Sequence, residues 1–308
     1  MKSNRTYLIA TLSSLFAGVI LFTSLVSAST LFEGWFEIYV GAKKIGYLTE
    51  RYEFTSDSKF KCTYYIKTEL DGNTTTESLK AFSSSSLAPI SYAYTSKAGE
   101  DIKVVDATFK GEQMTLKIND GKSEHKETKQ IKKGTFLSTF LLYLIMGNEK
   151  AGLKLTNNYM YSAIAEEEGV AYNGQALVSS KEKVKGQDTF KVLNKFKTGT
   201  KNEERFFTWV TPKGEVVLTR SPDKNVDVRS VATQAEATKG LMVNLKDLKL
   251  LFGKIPGESV GASEAAATGE DKKTTPPKPA ATPGPVKGAG EPSGQGIEIK
   301  GVPPPKNQ

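Results

Sequence analysis

Phe60-Lys61-Cys62-Thr63-Tyr64-Tyr65-Ile66-Lys67-Thr68-Glu69-Leu70, then Asp71-Gly72-Asn73, then Thr74 to Phe82, is the stretch that decides the fold. The first run alternates apolar and polar residues, the period of a strand with one buried face. Asp71-Gly72-Asn73 is a tight-turn signal, because Asp and Gly both accept positive φ. The run after it is strand-like again, so the unit is an antiparallel hairpin. Cys62 shares a face with Phe60, Tyr64 and Ile66 and reads as a small buried hydrophobe.

The same pattern continues on both sides. Before it, Trp35 to Val40 alternates, Gly41-Ala42-Lys43-Lys44 turns, and Ile45 to Phe54 continues. After it come Ile90 to Thr95, Ile102 to Phe109, and Met114-Leu116-Ile118 beyond the turn at Lys110-Gly111-Glu112. Past the middle come Tyr159 to Ala165, Leu177 to Val184, Phe190 to Phe196, Arg205 to Val210, Val216 to Thr219 and Val226 to Val231. Thr211-Pro212-Lys213-Gly214 is a further hairpin turn, with Pro presetting φ and Gly closing it. Short sequential strands joined by hairpin turns predict a mainly β fold, a curved antiparallel meander forming a half-barrel or barrel.

One segment breaks the period. Gly134 to Met146 holds Phe136, Leu137, Phe140, Leu141, Tyr143, Leu144 and Ile145, apolar on every side of a helix, with Thr135 as a cap. Such a helix has to be buried, and about 12 residues are too few to span a bilayer. Its natural place is inside the concave face of the sheet, as core or as the lining of a mouth. A second helix is predicted from Val243 to Phe252, with Leu241, Leu245, Leu248 and Phe252 on one face and Gly253 and Pro256 ending it.

The two ends differ from this body. Lys2 and Arg5 precede an apolar run from Tyr7 to Val26, and Val26-Ser27-Ala28 offers a signal-peptidase site. Residues 1–28 are therefore a signal peptide or, since the run is long enough to span a bilayer, an N-terminal anchor. Either way the body lies outside the cytoplasm, in the periplasm or cell envelope. Residues 255–308 carry ten of the 13 Pro and no aromatic residue. That composition predicts a disordered Pro/Gly/Ala/Lys-rich tail, with one strand-like island, Ile297 to Val302, able to reach an envelope partner. The domain itself is expected over residues 29–254.

Most chemistries lack their residues. The chain has a single Cys and a single His, which excludes an intrachain disulfide, the common zinc sites and Cys-His catalysis. The Ser83 to Ser86 run lacks the nucleophile-elbow context, and no Gly-rich phosphate loop follows a strand. Glu166-Glu167-Glu168 reads as a solvated charge run. His125 reads as a loop or edge-strand residue, and Trp35 and Trp209 as core or rim aromatics. The net charge of +8 is scattered, which suits a solvated surface or anionic lipid and not nucleic acid. No catalytic residue, metal ligand or cofactor is expected.

Tyr39-Val40-Gly41-Ala42-Lys43-Lys44-Ile45-Gly46-Tyr47, the apolar segment Phe136 to Met146, and the late hairpin Phe207-Thr208-Trp209-Val210-Thr211-Pro212-Lys213-Gly214-Glu215-Val216-Val217 together resemble exported half-barrels. These are the LolA-like periplasmic lipoprotein carriers and a related family of unknown function. The resemblance implies a non-enzymatic envelope protein holding a lipid, acyl chain or apolar peptide. Phe136, Phe140, Leu141, Tyr143 and Leu144 are its candidate ligand-lining residues. The alternative is a structural or adaptor module with a filled barrel. A hydrolase is the weakest reading, for want of acid–base residues.

Overall fold

The computed structural model describes residues 28–147, 152–197 and 203–258. The leader or anchor up to Ser27 and the tail from 259 onward, with its 297–302 island, lie outside the described residues.

Among the described residues, fifteen strands form one sheet. The first eight are β1 (Ser29–Val40), β2 (Lys43–Phe54), β3 (Lys59–Leu70), β4 (Asn73–Ser84), β5 (Pro89–Ala98), β6 (Asp101–Lys110), β7 (Gln113–Asn119) and β8 (Glu124–Gln130). The rest are β9 (Phe136–Leu137), β10 (Asn158–Ala165), β11 (Val170–Val184), β12 (Gln187–Lys197), β13 (Glu204–Val210), β14 (Val216–Ser221) and β15 (Val226–Val231). Pairing is antiparallel between sequence neighbours, except that β9 pairs parallel to β10 and β1 pairs with β15. The hairpin that decides the fold forms as read. Asp71 and Gly72 take φ of 52° and 80°, and Leu70 pairs with Asn73 across the turn. Lys185 and Gly186 repeat that solution between β11 and β12.

The sheet is curved and does not close, and β8 and β9 are its two edges. Yet only Ile131 to Thr135 separate those edges in sequence. At full extension that bridge spans no more than roughly 20 Å, so the sheet must roll until its edges approach. Contacts across the gap agree. Lys103 Nζ donates to the Glu167 carbonyl at 2.7 Å and Lys129 Nζ to that of Gly169 at 3.4 Å. Gly169 has φ +66°, and a Cβ there would lie 2.9 Å from the Leu116 side chain. The turn between β10 and β11 thus presses on β7.

Alternation along the strands then makes two cores. The inner face carries Cys62, Leu79, Tyr92, Val105, Met114, Leu116, Ala163 and Val178. The outer face of β1 to β3 carries Trp35, Tyr47 and Tyr65, covered by a C-terminal strap of two helices, α2 (Gln234–Thr238) and α3 (Leu245–Phe252). Thr233 and Asn244 cap them by accepting from Glu236 N and Asp247 N. Cations on the sheet meet strap carbonyls: Lys44 to Glu236, Lys67 to Met242 and Arg51 to Phe252. Trp35 Nε1 donates to the Pro256 carbonyl at 2.9 Å, and Ile255 is 1% exposed. Packing therefore runs past residue 254, the expected edge of the domain.

The apolar segment folds differently from the single helix expected over 134–146. Phe136 and Leu137 form β9 against Ala163 and Ile164, a 3-10 turn covers Ser138–Phe140, and the helix α1 is Leu141–Gly147. The backbone of Phe136 and Leu137 is drawn into the sheet edge, which delays the helix. Thr135 is no cap; its hydroxyl donates to Ser162 Oγ. Nor is the helix buried all round. Phe140 and Ile145 are buried, while Leu141, Leu142, Tyr143 and Leu144 are half-buried.

β8 escapes the apolar alternation altogether. Its sequence, Glu124-His125-Lys126-Glu127-Thr128-Lys129-Gln130, is exposed or half-exposed, as suits a charged edge strand.

Candidate ligand cavity

The half-buried side of α1 faces a cavity of about 220 Å³. Its walls come from β1, β2 and β12 to β15, with α1 across them. Phe32, Phe36, Leu48, Leu141, Leu142 and Phe206 make it largely apolar. Gly34 makes room for the aromatic pair. A Cβ there would sit 2.7 Å from the Phe32 ring, whose centroid is 6.4 Å from that of Phe36.

Of the residues expected to line a ligand site, Leu141 and Tyr143 line this cavity. Phe136 and Phe140 are fully packed in the inner core, and Leu144 is packed against it. Phe140 lies under the ring of Tyr52, edge to face at 6.2 Å, and beside Phe60. It holds the helix on the sheet instead of facing the cavity.

Two polar residues in the wall escaped the sequence reading. Glu50 follows Leu48 and precedes Tyr52 in the inner phase of β2, and Asn194 follows Val192 in the inner phase of β12. Polar residues on an apolar strand phase are the signal that marks them. Glu50 has no cation within salt-bridge distance among the described residues, and burial pushes its carboxyl up to about 7 against a weaker downward pull from Tyr52. It keeps partial surface exposure because part of it faces the cavity. Asn194 is 2% exposed and its Oδ1 has no hydrogen-bond partner among the described residues. Thr208 and Thr219, paired across β13 and β14, add two hydroxyls to the wall. Among the described residues no Lys, Arg or His lines the cavity.

A buried polar network anchors the start of the helix. Glu166, expected in a solvated charge run, is 3% exposed. Its carboxylate accepts from Ser138 Oγ at 2.6 Å and from Thr139 N at 3.1 Å. It thus takes up backbone and side-chain donors where no side-chain cap exists. Burial pushes this carboxyl up to about 7 as well, opposed by the Ser138 and Thr139 bonds. Tyr52 Oη donates to the Thr139 carbonyl at 3.0 Å, and Thr139 Oγ1 donates to Cys62 Sγ at 3.1 Å. Cys62 is buried, and burial raises its thiol far above the ordinary range, so it is no ready nucleophile. The geometry fixes α1 to β2, β3 and the end of β10 and leaves its other side to the cavity. Among the described residues no three His, Cys, Asp or Glu side chains gather as a metal site requires.

No family model matches the chain, and no curated protein matches it. Among solved structures it is similar to a beta-barrel-like protein of the domain of unknown function DUF1849 from Brucella abortus. The two are 12% identical, the match covers 66% of this chain and 98% of the other, and the TM-score is 0.48. It is also similar to a DUF1089 family protein from Pseudomonas aeruginosa, at 10% identity over 57% of this chain and 90% of the other, with a TM-score of 0.34. The fold rests on the strand register given above, and neither likeness adds to it. The resemblance to LolA-like carriers is supported by neither.

Proposed function

We propose that the protein is a non-enzymatic binding protein of the cell envelope that holds an apolar ligand between α1 and the inner face of the sheet. The observation that carries this reading is the cavity itself. It is largely apolar, it has a few polar groups in its wall, and it is bounded by a helix whose far side is pinned. The size bounds the ligand. A cavity of about 150 Å³ takes benzene, and drug-sized ligands need roughly 300 Å³ or more. Some 220 Å³ therefore suits one short acyl or alkyl chain or an apolar peptide side chain, not two chains at once. The likeness in sequence pattern to exported lipid-handling half-barrels and the leader-like N-terminus support the same reading. Export, membrane association and a partner for the tail belong to this proposal.

Uptake of an uncharged naphthyl dye by residues 29–258 tests it. The wild type should bind the dye, short-chain amphiphiles should displace it, and Thr208→Trp, which fills the cavity from β13, should abolish uptake with the circular dichroism unchanged. No uptake by a folded wild type would overturn the reading. It would leave the structural or adaptor module, which the dense packing of the rest of the inner face favours.

A further inference from the structure

We propose that the cavity selects a short single-chain amphiphile with a protonated primary amine as its head, seated against the Glu50 carboxylate and Asn194 Oδ1. This deepens the function proposed above and rests on it.

The argument is one of unmet polar demand. Glu50 is on β2 and Asn194 on β12, which lie at opposite ends of six adjacent strands; only the roll of the sheet brings them to one cavity. A buried amide oxygen without a partner is costly, and so is a carboxylate in an apolar wall without a counter-charge. No cationic side chain among the described residues lines the wall, so the ionised form of Glu50 has only the weaker pull of Tyr52 in its favour. An ammonium group answers both. It brings three N–H donors and no acceptor, and it finds acceptors in Glu50, Asn194 Oδ1 and the Thr208 and Thr219 hydroxyls.

Anionic heads fail on the same inventory. A carboxylate or phosphate would meet Glu50 and find no positive partner. An alcohol head can satisfy one acceptor and leaves the charge of Glu50 unpaired. The remaining walls, led by Phe32, Phe36, Leu142 and Phe206, take the chain.

Calorimetric titration of the full chain with octylammonium, octanol and octanoate at neutral pH reads the preference. Octylammonium should bind at least about tenfold more tightly than octanol, the value of one hydrogen bond to a charged group. Octanoate should bind most weakly. Glu50→Gln should erase the advantage of octylammonium over octanol, and Asn194→Leu should reduce it. Circular dichroism matching that of the wild type shows that the variants are folded. Equal binding of all three, or preference for octanoate, would overturn the amine assignment and leave the apolar-ligand function standing. Binding of none by folded wild type would overturn both.

Discussion

Replacing Glu166 by Gln keeps the side chain's shape and removes its charge. Gln can still accept from Thr139 N and can donate to Ser138 Oγ, so the start of α1 stays anchored. The charge matters because Glu166 is 3% exposed and burial lifts its carboxyl from the ordinary 4.5 to about 7. In the unfolded chain it titrates near the ordinary value. Between the two values the folded protein holds a proton that the unfolded chain has released. Stability is therefore greatest below the lower value and is lost as pH rises through the upper one. Each tenfold difference in proton affinity between the folded and unfolded chain is worth about 1.4 kcal/mol, so Glu166 alone should make the protein about 2 kcal/mol more stable near pH 5.5 than near pH 8. Glu50 is raised in the same direction and adds a contribution of the same sign. For a body of about 230 residues, about 2 kcal/mol is roughly 4–8 °C in Tm. The groups held low, such as Asp227 between Arg220 and Arg229, lose their contribution at more acid pH and stay out of this window. Thermal unfolding across that range should show a Tm that falls with rising pH. Glu166→Gln should remove about half of the slope, and Glu50→Gln in the same chain most of the rest. A wild-type Tm that rises over the range, or a Glu166→Gln slope equal to the wild type's, would refute the reasoning.

Phe140→Ala removes a ring with no exposed surface that braces α1 against Tyr52 and Phe60, and should cost about 3–5 kcal/mol in chemical denaturation; a near-neutral result would mean the helix is not held there. A chain ending at Glu258 should melt with the full chain, whereas one ending at Lys254 loses Ile255 and the Trp35–Pro256 bond and should be about 2–5 kcal/mol less stable; equal melting of the two would show that the strap's end is dispensable. N-terminal sequencing of envelope-fraction protein should begin at or near Ser29, and an intact Met1 on membrane-bound protein would favour the anchor.

The hairpins were legible because their chemistry is local. Asp71-Gly72 between two alternating runs leaves the chain little choice, and the structure places both residues at positive φ. The apolar segment near residue 140 was legible as a buried element but not in its form. Its first two apolar residues answer to the edge of β10, a partner more than twenty residues away. Glu166 was misread for the same kind of reason. Three consecutive Glu look solvated, and only the approach of the Ser138–Thr139 turn makes the first of them an anchor. Glu50 and Asn194 stood in plain alternation with Leu48, Tyr52 and Val192. That they share a cavity depends on curvature, which no local pattern records.

The bridge from Ile131 to Thr135 sets the order of assembly. It joins the two rims, so the chain's linear order is its spatial order cut in the middle. In space β9 to β15 come first, then β1 to β8, joined where Trp35 pairs with Val231 across almost two hundred residues. Everything else can zip between neighbours as it emerges, but the free side of β1 must wait for β15. At ordinary synthesis rates of 5–20 residues per second that wait is roughly 10–40 s. Throughout it an unpaired strand bearing Phe32, Trp35 and Phe36 offers itself to any other chain with an open edge. Opening the bridge and linking Glu258 to Ser29, whose neighbourhoods already meet where Gly257 N donates to Glu33, would make every pairing local. Such a rearranged chain should fold faster at similar stability and aggregate less on the way, because the seam would then form among its first contacts.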